Sequence, residues 1–187
     1  MITGTVNHPS RARRHQRADG ERTRAAILRA AASLATVEEA ERIFDAEVVR
    51  PALAACPGLA QLAAVCEAFL SYVERRVFPG GCFFATTALE MGTRPGPVRE
   101  RVAAIQSGFA ALLRGFAATA IEQHELPARE DPGRLAFELH AILLGADTRS
   151  ILTDDPAVLD LARQVIRLRL GLDHGTHPGQ AGPAQQA

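Results

Sequence analysis

The sequence predicts an all-α protein, a helical bundle entered by a long N-terminal helix. Three observations carry that reading. Apolar residues recur every three or four positions through long stretches, and no stretch alternates as a half-buried strand would. Gly- and Pro-rich turns separate those stretches. Apolar residues make up 47% of the chain but aromatics only 5%, with one Tyr and no Trp, which suits helices packed through small aliphatic side chains rather than a β-rich or disordered chain. At 187 residues the chain is long enough for one domain with a sizeable core and a small appendage.

The elements follow in order. Glu21 to about Arg50 contains no breaker and stops at Pro51. The turn Cys56-Pro57-Gly58 opens a second helix, about 58–77, with Leu59, Leu62, Ala63, Cys66, Phe69, Leu70, Val73 and Val77 on one face. Phe78-Pro79-Gly80-Gly81 closes it, and a short segment runs from Cys82 to Met91. After a Gly/Pro-rich turn, Gly92 to Pro97, a long helix reaches about Gln123, with Val98, Val102, Ile105, Phe109, Leu112, Leu113 and Phe116 at helical spacing. Gly108 and Gly115 on this helix read either as a close approach of a neighbour or as tolerated glycines. Asp131-Pro132 and Asp155-Pro156 each place a capping carboxylate before a Pro suited to the first helical position. The helices they start run to about Ile151 and about Leu170, with Gly171 as a C-terminal stop. The Gly/Pro-rich polar tail 173–187 is expected to be disordered.

Charge is zero overall but uneven. All 21 basic residues are Arg, and residues 1–30 hold seven of them against Asp19 and Glu21, so the remainder of the chain is net acidic. A disordered basic arm, residues 1–20, suits phosphate contact; a solvated tail that touches nothing is the plainer alternative. No apolar run approaches the roughly 18–20 residues of a membrane span and no signal peptide leads the chain, so no membrane role is expected. Cys56, Cys66 and Cys82 are odd in number without metal-type spacing, which suits a reducing cytoplasm.

The last two helices are too apolar for a monomer surface. Leu135, Leu139, Ile142, Leu143 and Ala146 form one stripe, while Phe137, Leu144 and Ile151 lie nearly opposite with His140 between. In the final helix, Asp160, Arg163, Gln164 and Arg167 hold one narrow polar face, and apolar residues cover most of the rest. A helix apolar nearly all round is buried on both sides, and a second copy of the chain is the simplest cover. The expected homodimer interface is Phe137, His140, Leu144, Ile151, Leu159, Ala162, Val165 and Ile166. A thick monomeric core is the alternative.

The first helix carries a phase break. On one ideal helix, Ile27, Leu28, Ala31, Leu34 and Ala35 cluster on a face, and Val37, Ala40, Ile43, Phe44 and Val48 cluster about 160° away. Two helices that once packed separately and now run end to end would do this. So would one helix crossing two different neighbours.

The stretch Arg22-Thr23-Arg24-Ala25-Ala26-Ile27-Leu28-Arg29-Ala30-Ala31-Ala32-Ser33-Leu34 resembles the first helix of TetR-family transcriptional regulators. Gly80-Gly81-Cys82-Phe83-Phe84-Ala85-Thr86-Thr87-Ala88-Leu89-Glu90 resembles a segment of the regulatory domains of one TetR subgroup. The resemblance spans about residues 20–172 and implies a ligand-binding and dimerisation domain over 51–172 whose last helix pair dimerises. The departure from the family matters as much. TetR-like proteins continue from the first helix into a helix-turn-helix, which needs at least about 20 residues, before reaching the linking helix. Here Glu38-Glu39-Ala40-Glu41-Arg42-Ile43-Phe44, which resembles the linking helix, follows Ala35 almost at once. Residues 21–50 therefore read as a remnant first helix fused to the linking helix, with no residues left to read base edges in a major groove. The arm with Arg11, Arg13, Arg14, Arg17, Arg22 and Arg24 would give salt-sensitive, sequence-blind DNA contact at most. A junction of this kind leaves either one long helix with an exposed apolar face on one half or a kink close to Thr36.

The resemblance also implies a small-molecule pocket between the middle helices, lined by Cys66, Phe69, Leu70, Tyr72, Phe83, Phe84, Met91, Phe109, Leu112 and Phe116. A mostly apolar pocket with few polar groups, here the Tyr72 hydroxyl, is the common design for a small apolar effector. For any one of these residues, plain core is the competing reading. No catalytic, metal or cofactor set is expected: the six histidines are scattered, and no nucleophile elbow, phosphate loop or HExxH is present. Three roles stay open: a repressor relative without its DNA-reading heads, a module that sequesters a full-length relative, or a small helical enzyme using the same pocket.

Overall fold

The computed structural model describes residues 35–91 and 95–172, and within them every regular element is a helix. The basic arm, the Ile27–Leu34 face and the tail 173–187 lie outside the described residues, as does the far side of the expected junction. From residue 35 the chain is helical through Thr36.

Helix α1 covers residues 35–53 and buries Val37, Ala40, Phe44, Val48 and Ala52. This stripe steps mostly by four residues, so an ideal α-helix would rotate it off the core. A π-turn at Asp45–Val49, in which the Arg50 N–H donates to the Asp45 carbonyl, absorbs the drift. Pro51 supplies the local reason: its ring crowds the carbonyl four residues back and it has no N–H to donate, so a wider turn relieves the helix. The helix thus continues through the proline, where the sequence suggested a stop, and ends after Arg50–Leu53.

Helix α2, Leu59–Glu74, starts at Gly58, whose φ of +96° favours glycine. The Glu125 carboxylate accepts from the Leu59 N–H at 2.7 Å and so caps α2 from a turn far along the chain. Helix α3 is Phe83–Met91 and α4 is Pro97–Glu122. Helix α4 is long and apolar enough to span a membrane by length and composition, as the core helix of a globular bundle also can be, which the sequence reading did not anticipate. Its apolar residues Val102, Phe109, Leu113, Phe116, Ala117 and Ala120 instead face the core between α1, α2, α3 and α5. A Cβ added at Gly108 or Gly115 would meet nothing within 4 Å, so among the described residues no helix approaches there and the close-approach reading is set aside.

Helix α5, Pro132–Thr153, starts as expected: Asp131 caps it by accepting from the Arg134 N–H at 2.6 Å. Helix α6 is Ala157–Arg169, and Asp155 accepts from the Ala157 N–H at 3.0 Å. Gly171, at φ +71°, ends it as the sequence suggested. Arg163 on α6 reaches Glu67 and Glu74 on α2, at 3.1 and 2.6 Å. Arg169 reaches Glu130 and, on α5, Glu138 at 3.1 and 2.7 Å. Of the expected polar face of α6, Arg163 turns toward the body, while Asp160, Gln164 and Arg167 stay exposed.

Candidate ligand pocket and dimer face

The middle of the bundle is an aromatic cluster built around Phe44. Its ring centroid lies 6.2 Å from Phe69, 5.7 Å from Tyr72, 5.7 Å from Phe84 and 5.3 Å from Phe109, in edge-to-face geometry. Phe69 and Phe109 stack at 6.0 Å, and Phe83 joins through Phe84 at 5.5 Å. Five of the ten residues expected to line a pocket therefore meet in one network. Cys66, Leu70 and Phe116 are buried in the same core, while Leu112 and Met91 are half-buried. Phe44 is the centre that the sequence reading missed. The signal was its place on the second apolar face of the first helix, which was read only as a phase break.

The cluster is nearly full. It leaves an interior cavity of about 10 Å³, bordered by Phe44, Phe69, Phe109, Cys82, Gln106 and His140 among others, roughly the room of one water. Among the described residues, two buried polar atoms beside this core lack a hydrogen-bond partner, Tyr72 Oη and His140 Nε2. Tyr72 Oη lies beside the Phe83 backbone N–H without a bond of ordinary geometry. Burial raises the Tyr72 hydroxyl, pushes the Cys66 thiol up to about 12 and the Cys82 thiol to about 11, and lowers His140. Neither buried thiol is activated for nucleophilic work at neutral pH.

The Gly-Gly-Cys-Phe-Phe segment owes its form to Asp147. That carboxylate, buried on α5, accepts from the Cys82 N–H at 2.9 Å where α3 begins. Gly81 sits at φ +81°, and a Cβ there would overlap Asp147 Oδ1 and come within 3.0 Å of Ile151 Cγ1. Only glycine leaves room for the carboxylate. Burial raises the Asp147 pKa above its ordinary value.

Two wider openings lie at the surface. A groove of about 520 Å³ runs between α1 and α4, with Phe109 and Leu112 of the expected lining in its wall. Another of about 420 Å³ lies between α4 and α5 beside Phe137 and His140.

On α5 and α6, five large apolar side chains, Phe137, Leu152, Leu161, Val165 and Leu168, are between 42 and 83% exposed. Leu161, Val165 and Leu168 form one stripe on α6, while Phe137 and Leu152 stand toward opposite ends of α5. The expected interface is divided by this arrangement. Phe137 and Val165 face outward, while His140, Leu144 and Ile151 are half-buried. Leu159, Ala162 and Ile166 are at most 6% exposed because the chain's own core takes them. The exposed large apolar positions of α6 are Leu161, Val165 and Leu168.

These features define an all-helical bundle with a tightly packed aromatic centre and a two-helix apolar face. A family model described as "Tetracyclin repressor-like, C-terminal domain" matches residues 58–166, and the chain belongs to that family. A crystal structure of a TetR transcriptional regulator from Chloroflexus aurantiacus J-10-fl has the same fold. It aligns at a TM-score of 0.68 with 24% identity, over 74% of this chain and 70% of that one. Among curated proteins none matches the chain.

Proposed function

We propose that the chain is the effector-binding and dimerisation body of a TetR-like regulator, without sequence-specific DNA reading of its own. The observation that carries the dimer is the outward apolar face of α5 and α6, centred on Phe137, Leu152, Leu161, Val165 and Leu168. Exposed apolar surface of this kind marks an interaction site, and self-association of a two-helix face gives a four-helix interface. The expected interface is revised accordingly: Phe137 and Val165 stay, with His140, Leu144 and Ile151 at the margin, and Leu161 and Leu168 replace Leu159, Ala162 and Ile166.

The effector reading rests on the aromatic cluster. The unpartnered Tyr72 Oη and His140 Nε2 are the groups a small, mostly apolar molecule would satisfy if the rings around Phe44 parted to admit it. The reading of DNA rests on length. α1 packs into the body from residue 37 onward, so the linking helix follows the first-helix motif with no room for a helix-turn-helix between them. Any remaining DNA contact is through the basic arm, and it is electrostatic.

Sedimentation equilibrium tests the dimer. The full chain should sediment as a dimer, and Phe137→Glu combined with Leu168→Glu should give a folded monomer. A monomeric parent, or a dimer unchanged by both substitutions, contradicts the proposal. A second reading, sequestration of a full-length relative, uses the same face; exclusive self-association on co-expression with such a relative would exclude it.

A further inference from the structure

We propose that the interior site takes an uncharged single aromatic ring bearing one hydrogen-bonding substituent, a phenol-like molecule, and that Phe44 is the plug it displaces. This rests on the effector reading above and names the ligand class and its way in. Phe44 occupies the place of a ligand. It lies at the middle of the cluster, edge-to-face with Phe69, Tyr72, Phe84 and Phe109 at interplanar angles of 75, 87, 87 and 82°. The cavity left beside it is about 10 Å³, so nothing larger than a water enters while the ring is in place.

Phe44 is also the part of the cluster that has somewhere to go. It borders both the interior cavity and the open groove between α1 and α4. That groove, of about 520 Å³, has room for a phenyl ring, and Gly108 lines it with open space at its Cβ. An aromatic side chain on a helix has two open χ1 rotamers, so leaving the cluster needs no unfolding of α1. Phe109 borders both spaces too, but it lies within the regular helix α4. Phe44 directly precedes the π-turn of α1, a kind of turn that recurs at functional sites. The groove between α4 and α5 shares only His140 with the cavity, and it is bordered by Phe137, which the proposed dimer buries.

The vacated space selects its occupant. A flat aromatic ring inherits the edge-to-face contacts of Phe44, whereas a saturated ring is thicker and has no quadrupole to match them. Among the described residues no charged side chain lines the cavity; its polar groups are His140, Gln106 and the Cys82 thiol. An ionised ligand would therefore be buried without a counter-charge. Burial lowers His140, so its imidazole is neutral at pH 7, and Nε2 has no partner. A hydroxyl both donates and accepts, so it pairs with Nε2 in either tautomer.

Fluorine NMR titration of the full chain with 4-fluorophenol tests the proposal, with phenol, toluene and cyclohexanol as competitors. Phenol should displace the probe at a concentration at least tenfold lower than either toluene or cyclohexanol. Phe44→Leu separates a plug from a wall. It should tighten probe binding at least tenfold because the ring no longer competes, whereas shortening a wall residue would weaken it. Gly108→Leu, at an exposed position, fills the space into which Phe44 moves. It should weaken the probe at least tenfold in the parent and have no effect in the Phe44→Leu background. His140→Leu should erase the preference for phenol over toluene. Binding weakened or unchanged by Phe44→Leu, or unchanged by Gly108→Leu, overturns the plug. Cyclohexanol that competes as well as phenol overturns the aromatic class and leaves an interior effector site standing. No probe binding to the parent or to Phe44→Leu overturns the ligand class, and the effector reading falls with it only if toluene and cyclohexanol also leave the melting temperature unchanged.

Discussion

Replacing Gly81 with alanine tests how the body is held together at its most constrained point. The residue sits at φ +81°, where an L side chain is disfavoured by roughly 1–2 kcal/mol. The new methyl would also overlap Asp147 Oδ1 and come within 3.1 Å of its Cγ. Asp147 is buried and accepts from the Cys82 N–H, so pushing it aside leaves a buried donor and a buried carboxylate without each other, at about 1–3 kcal/mol. The two effects together give about 2–5 kcal/mol, a large part of the 5–15 kcal/mol that holds a typical domain. For a chain of this size that lowers the melting temperature by about 4–20 °C. Thermal unfolding followed by far-UV circular dichroism measures it. The same substitution in an Asp147→Ala background should cost less, about 1–2 kcal/mol for the backbone and whatever the remaining approach to Ile151 Cγ1 adds, because the overlap with the carboxylate is gone. A fall of less than about 2 °C for the single substitution, or equal losses in the two backgrounds, would refute the reasoning.

Three further outcomes follow from the same structure. Burial raises the Asp147 pKa, so its contribution to stability is fully present below the unfolded carboxylate pKa and declines as pH rises through the folded value. Asp147→Asn keeps an acceptor for Cys82 and cannot ionise; its melting temperature relative to the parent should rise with pH across that window, and a difference flat with pH contradicts this. Asp131→Ala removes the carboxylate that accepts from the Arg134 N–H and should destabilise the protein by about 1 kcal/mol in urea titrations, with an unchanged slope. Gly115→Ala lies inside α4 with open space at its Cβ and should stabilise by about 0.5–1 kcal/mol in the same titration, whereas a loss would reveal a neighbour packed there.

The helices were legible because their signals are local. Asp131, Asp155 and Gly171 end or start helices through contacts within a few residues, and the apolar spacing of α2 and α4 reports which side is buried. What sequence could not decide was which of two apolar sides meets the chain's own core. Leu159, Ala162 and Ile166 are no more apolar than Leu161, Val165 and Leu168; the ion pairs of Arg163 with Glu67 and Glu74 orient α6, and they join residues far apart in the chain. Most of the residues expected to line a pocket are buried together in the core, but their packing around Phe44 depends on the phase of α1 across its π-turn, which periodicity at 3.6 residues per turn does not show. Gly81 was visible as part of a motif, and its reason, the Asp147 carboxylate, is 66 positions away.

The central claim, a TetR-like body without sequence-specific DNA reading, is tested most directly by the full chain and DNA. Fluorescence anisotropy should be recorded with a duplex from upstream of its own coding region and with an unrelated duplex of equal length, as salt is raised. The account predicts the same weak binding to both, lost in parallel with increasing salt because only phosphate contacts remain. Tighter binding to the upstream duplex that resists unrelated competitor would contradict it.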